Sequence, residues 1–302
     1  MNKFAIAIHG GASKDSDFIR QNLTRYEEGL KEAALAGYEV LKSGGSAVEA
    51  VTAAVMALEN NEIFNAGKGA ALTNEGKVEL DASVMNGADL KAGAIAMVTQ
   101  VKNPIGLARA VMEKTNHVLL ASSGALEFAK QMELPLEDES YFITPHQQEE
   151  LLEEQGSSED LLRKPTKGTV GAVALDVNGN VASATSTGGT SGSLPGRVGD
   201  SCVIGAGCYA NNKTCAVSAT GDGEFIITGV IAHSISMLME LKQLSLQEAC
   251  DEVIYQRINK DEADVGVISV NSHGDIGMAF NCERMHRAWV DTEGNLGVKI
   301  YR

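Results

Sequence analysis

The chain has 302 residues, with 32 glycines, only 5 prolines and a formal net charge of −15. That length can bury one large core, so a single layered domain fits as well as two smaller ones. The acidic balance argues against nucleic acid or an anionic membrane as a partner and leaves the charge of a small substrate open, because a site needs only local cations such as Arg197.

Phe4 to Ile8 reads as a buried strand that ends in a glycine turn at His9-Gly10-Gly11, where His9 is either a base or a packed histidine. Tyr26 to Lys42 has helical spacing, and Ser46-Ala47-Val48-Glu49 is a capping box for a second helix reaching about Glu59. Their alanine-rich faces should pack closely on a sheet. Asn60 to Lys68 forms a tight loop with too few carboxylates for a calcium cage. Val78 to Met85 and Ala92 to Val101 read as strands, Asn103-Pro104 opens a helix to about Lys114, His117 to Ala121 returns as a strand, and Gly124 to Met132 is helical.

Composition then shifts. Glu137 to Lys167 carries nine acids and two prolines and is the one candidate linker, with a solvated helix over Pro145 to Leu162 as the other reading. Thr169 to Asp176 and Val181 to Thr187 look like the arms of a hairpin turned by Asn178-Gly179. Strands are expected at Cys202 to Tyr209 and Cys215 to Ala219, helices at Phe225 to Leu241 and Ser245 to Ile258, and closing strands near Val265 to Val270, Gly277 to Asn281 and Val298 to Tyr301. Each half thus offers strands for one sheet and a helical pair to cover it. No apolar run reaches the ~18 residues of a membrane span. Five cysteines, an odd number, and no signal-like start at Met1-Asn2-Lys3 predict small reduced core thiols in a cytoplasmic protein.

Chemistry converges on Gly168-Thr169. Cleavage there would give Thr169 a free α-amine, of pKa roughly 8, beside its own hydroxyl, so one residue would be nucleophile and base. Otherwise Thr169 is an ordinary strand threonine. The ordered set His9-Gly10-Gly11-Ala12, Asn65-Ala66-Gly67, Leu80-Asp81-Ala82-Ser83-Val84-Met85, Gly168-Thr169, Ala184-Thr185-Ser186-Thr187-Gly188-Gly189, Pro195-Gly196-Arg197-Val198-Gly199-Asp200-Ser201 and Ala219-Thr220-Gly221-Asp222-Gly223-Glu224 resembles the plant-type asparaginase and isoaspartyl peptidase family of N-terminal-nucleophile hydrolases. The resemblance runs from Phe4 to about Trp289. No G-x-S-x-G elbow, phosphate loop, dinucleotide fingerprint or H-E-x-x-H competes with it.

The resemblance implies one four-layer αββα sandwich over residues 1–302. It implies autocleavage into an α subunit 1–168, with a flexible linker at about 140–168, and a β subunit 169–302, paired as a dimer of αβ heterodimers. It also implies hydrolysis of the side-chain amide of L-asparagine and of β-aspartyl dipeptides, with no catalytic cofactor. Gly11 and Asn65 would support the site. A sodium ion would sit on the main-chain carbonyls of Leu58, Glu59, Asn61, Phe64, Ala66 and Lys68, though a plain loop fits those residues nearly as well.

The remaining roles follow from residue type. Thr187, ending the second hairpin arm, would come back beside Thr169, or would only cap its strand. Thr220 and Gly221 offer a hydroxyl and an N–H for a developing oxyanion. Arg197 suits bidentate capture of a carboxylate and Asp200 an ammonium, the two ends of a free α-amino acid; the resemblance implies that substrate role and adds Gly223 to the ammonium contacts through its carbonyl. The plainer reading pairs Arg197 with Asp200 at the surface. Three functions compete with this one. Aspartylglucosaminidase is usually secreted and disulfide-bearing, threonine aspartase needs a long insertion that is not visible, and an unprocessed binding scaffold requires Gly168-Thr169 to stay intact.

Overall fold

In a computed structural model of the chain, residues 3–156, 168–259 and 261–302 are described. The elements begin with β1 (Ala5–Ser13), α1 (Asp17–Gln21), α2 (Leu23–Lys42), α3 (Ala47–Glu59), β2 (Leu80–Asn86), β3 (Ala92–Val98), α4 (Pro104–Lys114), β4 (Leu119–Ala121), α5 (Ser122–Gln131), α6 (Glu139–Phe142) and α7 (Pro145–Gly156). After Gly168 come β5 (Val170–Leu175), β6 (Val181–Thr187), a 3-10 turn at Asp200–Cys202, β7 (Cys208–Ala210) and β8 (Cys215–Gly221). Then follow α8 (Gly223–Gly229), α9 (Ile231–Lys242), α10 (Leu246–Asp251) with a π turn at Glu252–Arg257, β9 (Val265–Asn271), β10 (Ile276–Phe280), β11 (Arg284–Val290) and β12 (Leu296–Lys299).

Mixed α/β architecture results. One eight-stranded sheet has the order β12-β11-β1-β5-β6-β2-β3-β4, antiparallel except for β3 with β4, and a four-stranded sheet has the order β10-β9-β8-β7. Period-two alternation explains how each strand meets two environments. Ile6 and Ile8 of β1, Ala172 and Ala174 of β5 and Ala184 of β6 pack with Leu30, Ala33, Val51 and Ala54 of α2 and α3. The opposite faces, Ala5, Ala7, Val173 and Leu175, meet Ala216, Ile268 and Val270 of the smaller sheet. That sheet's other face, Val217, Ala219, Val265 and Val267, is covered by Ile231, Ile235, Leu246 and Val253. Close approach of α2 to β1 depends on Gly37, where a Cβ would collide with Ile6 Cδ1.

Local signals behave as expected at α3, where Ser46 and Glu49 complete the capping box, worth about 1 kcal/mol. They also hold at the β5–β6 hairpin. There Asp176 Oδ1 accepts the N–H groups of Asn178 and Asn180, and Gly179 turns at φ +81. Asn103 precedes α4 without a side-chain cap; its amide instead donates to Glu59 and Asn60, 3.1 Å each.

Several expectations are corrected. The glycines of His9-Gly10-Gly11 lie inside β1, which continues to Ser13 across a bulge between His9 and Ala12, because β11 supplies a partner on that edge. Cys202 to Tyr209 is mostly turn, and only Cys208–Ala210 is strand. β11 carries no sequence expectation, since Arg284, His286 and Arg287 break its apolar pattern although all three are buried. The two halves of the chain do not build separate sheets: β5, β6, β11 and β12 join β1 to β4 in the larger one.

Within the expected linker, Glu139–Phe142 forms α6 and Pro145–Gly156 forms α7, with Phe142 and Leu151 buried beside Leu72 and Leu80; residues 157–167 lie outside the described residues. Gly223–Lys242 does reach the length and hydropathy of a span, 20 residues at mean hydropathy 1.4. Left-handed Val230 divides it into α8 and α9, and the Ile231–Ile235 face lies on the smaller sheet.

Candidate active site

At one end of the contact between the sheets the inward positions change from apolar to hydroxylated. β6 turns Ser183, Thr185 and Thr187 inward and β8 turns Ser218 and Thr220, all buried. The β5–β6 register pairs Val170 with Ser186, so one step further sets Thr169 opposite Thr187. Thr169, 5% exposed, donates from Oγ1 to Thr187 Oγ1 at 3.4 Å and accepts from Ser201 Oγ at 3.4 Å. Thr187 Oγ1 also accepts the N–H of Gly189 (3.1 Å), which fixes its rotamer toward Thr169.

Gly168, directly before Thr169, lies against the β1 bulge. Gly11 has φ +109, and a Cβ on it would lie 2.5 Å from the Gly168 Cα. Thr220 Oγ1 donates to the Thr169 carbonyl at 3.5 Å and accepts the Ala12 N–H at 3.3 Å, linking β8 to both. Gly221 follows at φ +132, a backbone that only glycine adopts readily, with the Asp264 carbonyl filling the Cβ position. Asn65 Nδ2 donates to the Gly189 carbonyl (2.8 Å) and its Oδ1 accepts the Ala71 N–H (2.8 Å), tying its loop to the end of β6.

Asp200 and Arg197 lie beside this group, but not as a mutual pair. Arg197 closes on Glu224, Nε to Oε1 at 3.0 Å and Nη2 to Oε2 at 3.1 Å. Asp200 is buried, with Oδ2 lacking any hydrogen-bond partner. Burial pushes its carboxyl up to about 7; Arg197 opposes the rise, while Asp81 and Glu224 add to it. Gly223 completes the cluster, since a Cβ there would fall 2.8 Å from Arg197 Nη2 and 3.0 Å from Asp200 Oδ1.

Asp81, also buried, holds the Arg197–Asp200 loop by accepting the N–H groups of Gly199 (3.2 Å) and Met97 (2.8 Å). Burial raises it to about 6. An unpaired buried carboxylate oxygen is costly unless a cation arrives. The unpartnered Asp200 Oδ2 therefore suits an ammonium group.

His9 is fully buried, with Nδ1 3.0 Å from the Thr169 carbonyl oxygen and Nε2 2.8 Å from Ser218 Oγ. Burial lowers it to about 3, so it is neutral and packed, not a base. The carbonyls of Leu58, Glu59, Asn61 and Phe64 accept amide hydrogen bonds from Asn61, Lys68, Phe64 and Ala66 respectively. The Leu58 carbonyl also accepts the Asn60 N–H, while those of Glu59, Asn61 and Phe64 each keep a second lone pair; such neutral oxygens, with those of Ala66 and Lys68, fit a hard monovalent cation. Among the described residues no group of three His, Cys, Asp or Glu suits a metal.

Sequence reasoning missed Ser201, Ser218, Asp81 and Glu224, and the side chain of Glu59. Fully buried, that carboxyl accepts from Ser186 Oγ (2.7 Å), Ile105 N–H (2.9 Å) and Asn103 Nδ2 (3.1 Å). Burial raises it to about 7. Ser201, Asp81 and Glu224 lie inside the motifs that carry the resemblance but had no role of their own there; Ser218 and the Glu59 side chain had no local signal.

The chain is similar to known proteins along its whole length. The chain is 44% identical over 312 residues to the isoaspartyl peptidase of Salmonella typhimurium, covering all of both chains. It is 44% identical over 313 residues to the isoaspartyl peptidase of Escherichia coli, covering all of this chain and 97% of that one. An isoaspartyl peptidase/L-asparaginase of Xenopus laevis is 41% identical over 298 residues, covering 98% and 95%. The family model described as asparaginase matches residues 2–300, so the chain belongs to that asparaginase family.

Proposed function

We propose that this chain is a threonine-type amidohydrolase that releases L-aspartate from β-aspartyl dipeptides and from L-asparagine. The observation that carries the reading is the Thr169 hydroxyl, held 3.4 Å from both Thr187 and Ser201 hydroxyls directly after Gly168 and beside the Arg197–Asp200 cluster. Thr169 Oγ attacks the Gly168 carbonyl, its proton passes to the departing amide nitrogen, and an ester joins Gly168 to Oγ. Water hydrolyses the ester, leaving the Gly168 carboxylate and a free Thr169 amine.

The amine then takes the Oγ proton as Oγ attacks the side-chain carbonyl of the substrate. Thr220 Oγ1 and the Gly221 N–H stabilise the oxyanion, a donor each worth about 10² to 10³ in rate. The proton passes to the leaving ammonia or amino acid, and water releases aspartate from the acyl-enzyme. Arg197 takes the substrate carboxylate; Asp200, with the Gly223 carbonyl, takes the ammonium. Buried Asp200 Oδ2 supports the latter role.

The same reading includes a four-layer αββα arrangement, supported by the apolar clusters on both faces of both sheets. It includes α and β subunits divided at Gly168-Thr169, a dimer of those pairs, cytoplasmic location, and a sodium ion on the 58–68 carbonyls that would stiffen the loop carrying Asn65. All five cysteines are free and buried, which gives the disulfide-bearing alternative no support. Electrophoresis and N-terminal sequencing test the scheme, and two fragments with the second starting Thr-Val-Gly are expected. Thr169→Ala should stay whole; cleavage of that variant at the same bond would remove Thr169 as nucleophile. Steady-state rates on L-asparagine against β-aspartyl dipeptides then rank the substrates.

A further inference from the structure

Behind Thr169 runs a buried line of side chains that the chemistry above does not use. His9 Nδ1 faces the Thr169 carbonyl (3.0 Å), His9 Nε2 faces Ser218 Oγ (2.8 Å), and Ser218 Oγ faces Thr185 Oγ1 (2.8 Å). All three side chains are completely buried. Room for this line exists because residue 171 is glycine, where a Cβ would collide with both Ser218 Oγ and His9 Nε2.

Counting protons gives the line a direction. A carbonyl oxygen only accepts, so His9 Nδ1 must carry the hydrogen toward Thr169. Burial keeps the ring neutral, so Nε2 is bare and accepts from the Ser218 hydroxyl. Ser218 Oγ is then left as an acceptor for the Thr185 hydroxyl. Thr185 Oγ1 also lies 3.1 Å from the Gly207 carbonyl, which receives the Ala219 N–H at 2.9 Å and keeps a second lone pair; the shorter contact, 2.8 Å to Ser218, takes the Thr185 hydrogen. Three hydrogens fill three links, and none is unmatched.

We infer that Thr185 and Ser218 are positioning residues for the nucleophile: they lock His9 in the Nδ1–H tautomer, and His9 in turn pins the Thr169 carbonyl, so that the hydroxyl of the same residue keeps its line of attack. Thr185→Val leaves the Ser218 hydroxyl free to accept as well as donate, which lets the ring drift between tautomers, one of them setting two lone pairs against each other at Thr169. The inference rests on Thr169 being the nucleophile, but it fails separately, because the tautomer of His9 is read without any reaction.

Long-range proton–nitrogen spectra of the full chain labelled with ¹⁵N-histidine, with His9 assigned by its loss in His9→Asn, are expected to show a hydrogen on Nδ1 and a bare Nε2. Thr185→Val should slow both cleavage at Gly168-Thr169 and kcat about tenfold or more, as small misplacements of reacting atoms do. KM should stay unchanged. Thr185→Ser keeps the hydroxyl and should restore the rates. An Nε2–H tautomer or an imidazolium in the wild-type protein would overturn the inference, and so would Thr185→Ser behaving like Thr185→Val. Failure of the nucleophile assignment shows elsewhere, as cleavage that persists in Thr169→Ala.

Discussion

Arg197 spends its fork on Glu224: Nε and Nη2 each meet one oxygen of the same carboxylate, at 3.0 and 3.1 Å. The glutamate side chain is 66% exposed against 18% for the arginine, so the acid is the partner free to swing away. It therefore stands where a substrate carboxylate is proposed to bind.

Removing that competitor should help binding. Such a half-exposed pair is worth up to about 1 kcal/mol, so Glu224→Gln is expected to lower KM about two- to fivefold with kcat unchanged. Steady-state kinetics on a β-aspartyl dipeptide reads it. A raised KM would mean that Glu224 orients Arg197 for the substrate and does not compete with it.

Asp200 links pH to binding and to stability. Its carboxyl titrates at about 7, and only the ionised form holds an ammonium, so KM should rise as pH falls below that value. For stability the sign is opposite. A folded-state value above the ordinary carboxylate range favours folding below that range, and this contribution is lost as pH rises through about 7. Asp200→Asn should thus melt higher than the wild type at pH 8, by up to about 4 kcal/mol from ~1.4 kcal/mol per pH unit, with the gap closing near pH 4. Equal melting at pH 8 would show that the buried oxygen is already compensated.

The proton acceptor for attack is proposed to be the Thr169 amine, with a reference pKa of roughly 7.7 to 8.0, so kcat should rise with pH through the amine's own pKa. Arg197 pulls that value down and Asp200 pulls it up. His9, lowered to about 3, cannot produce a limb in that range. His9→Asn should therefore lower the height of the kcat profile and leave its inflection in place. Loss of the inflection in a folded, cleaved protein would return the base role to the histidine.

Gly11→Ala tests whether Gly168 must lie flush on β1. Its Cβ would press on the Gly168 Cα at 2.5 Å and its φ of +109 disfavours any side chain. Folded but uncut protein is expected, seen as one electrophoretic band with native circular dichroism. Normal cutting would mean that the Gly168 carbonyl reaches Thr169 by another approach.

The parts of this site legible in the sequence were those with local causes. Asn178-Gly179 and the alternation of Val181 to Thr187 set the hairpin, and hairpin register alone returns Thr187 to Thr169. What stayed hidden depends on pairings between distant segments. Ser218 reaches His9 only because β8 faces β1 across the sheets, and Glu59 reaches Ser186 from the end of a helix that sequence assigns simply to packing. β11 escaped for a related reason: its arginines and histidine are buried through main-chain and ring partners that no hydropathy window registers, such as Arg284 Nε on the Lys14 carbonyl at 2.9 Å.

The strand order of the larger sheet sets the sequence of events in this protein's life. Its strands come in blocks from after the proposed cut, before it, after it and before it again: β12 and β11, then β1, then β5 and β6, then β2 to β4. Each fragment is thus laced through the other: four of the sheet's seven seams lie within one fragment, and three, β11 to β1, β1 to β5 and β6 to β2, do the lacing. Neither fragment can build its share of the sheet alone or leave once it is built. If the chain is cut at Gly168-Thr169 as proposed, folding must precede the cut, and the denatured two-fragment form, unlike the uncut chain, would face a two-body search to find its shape again.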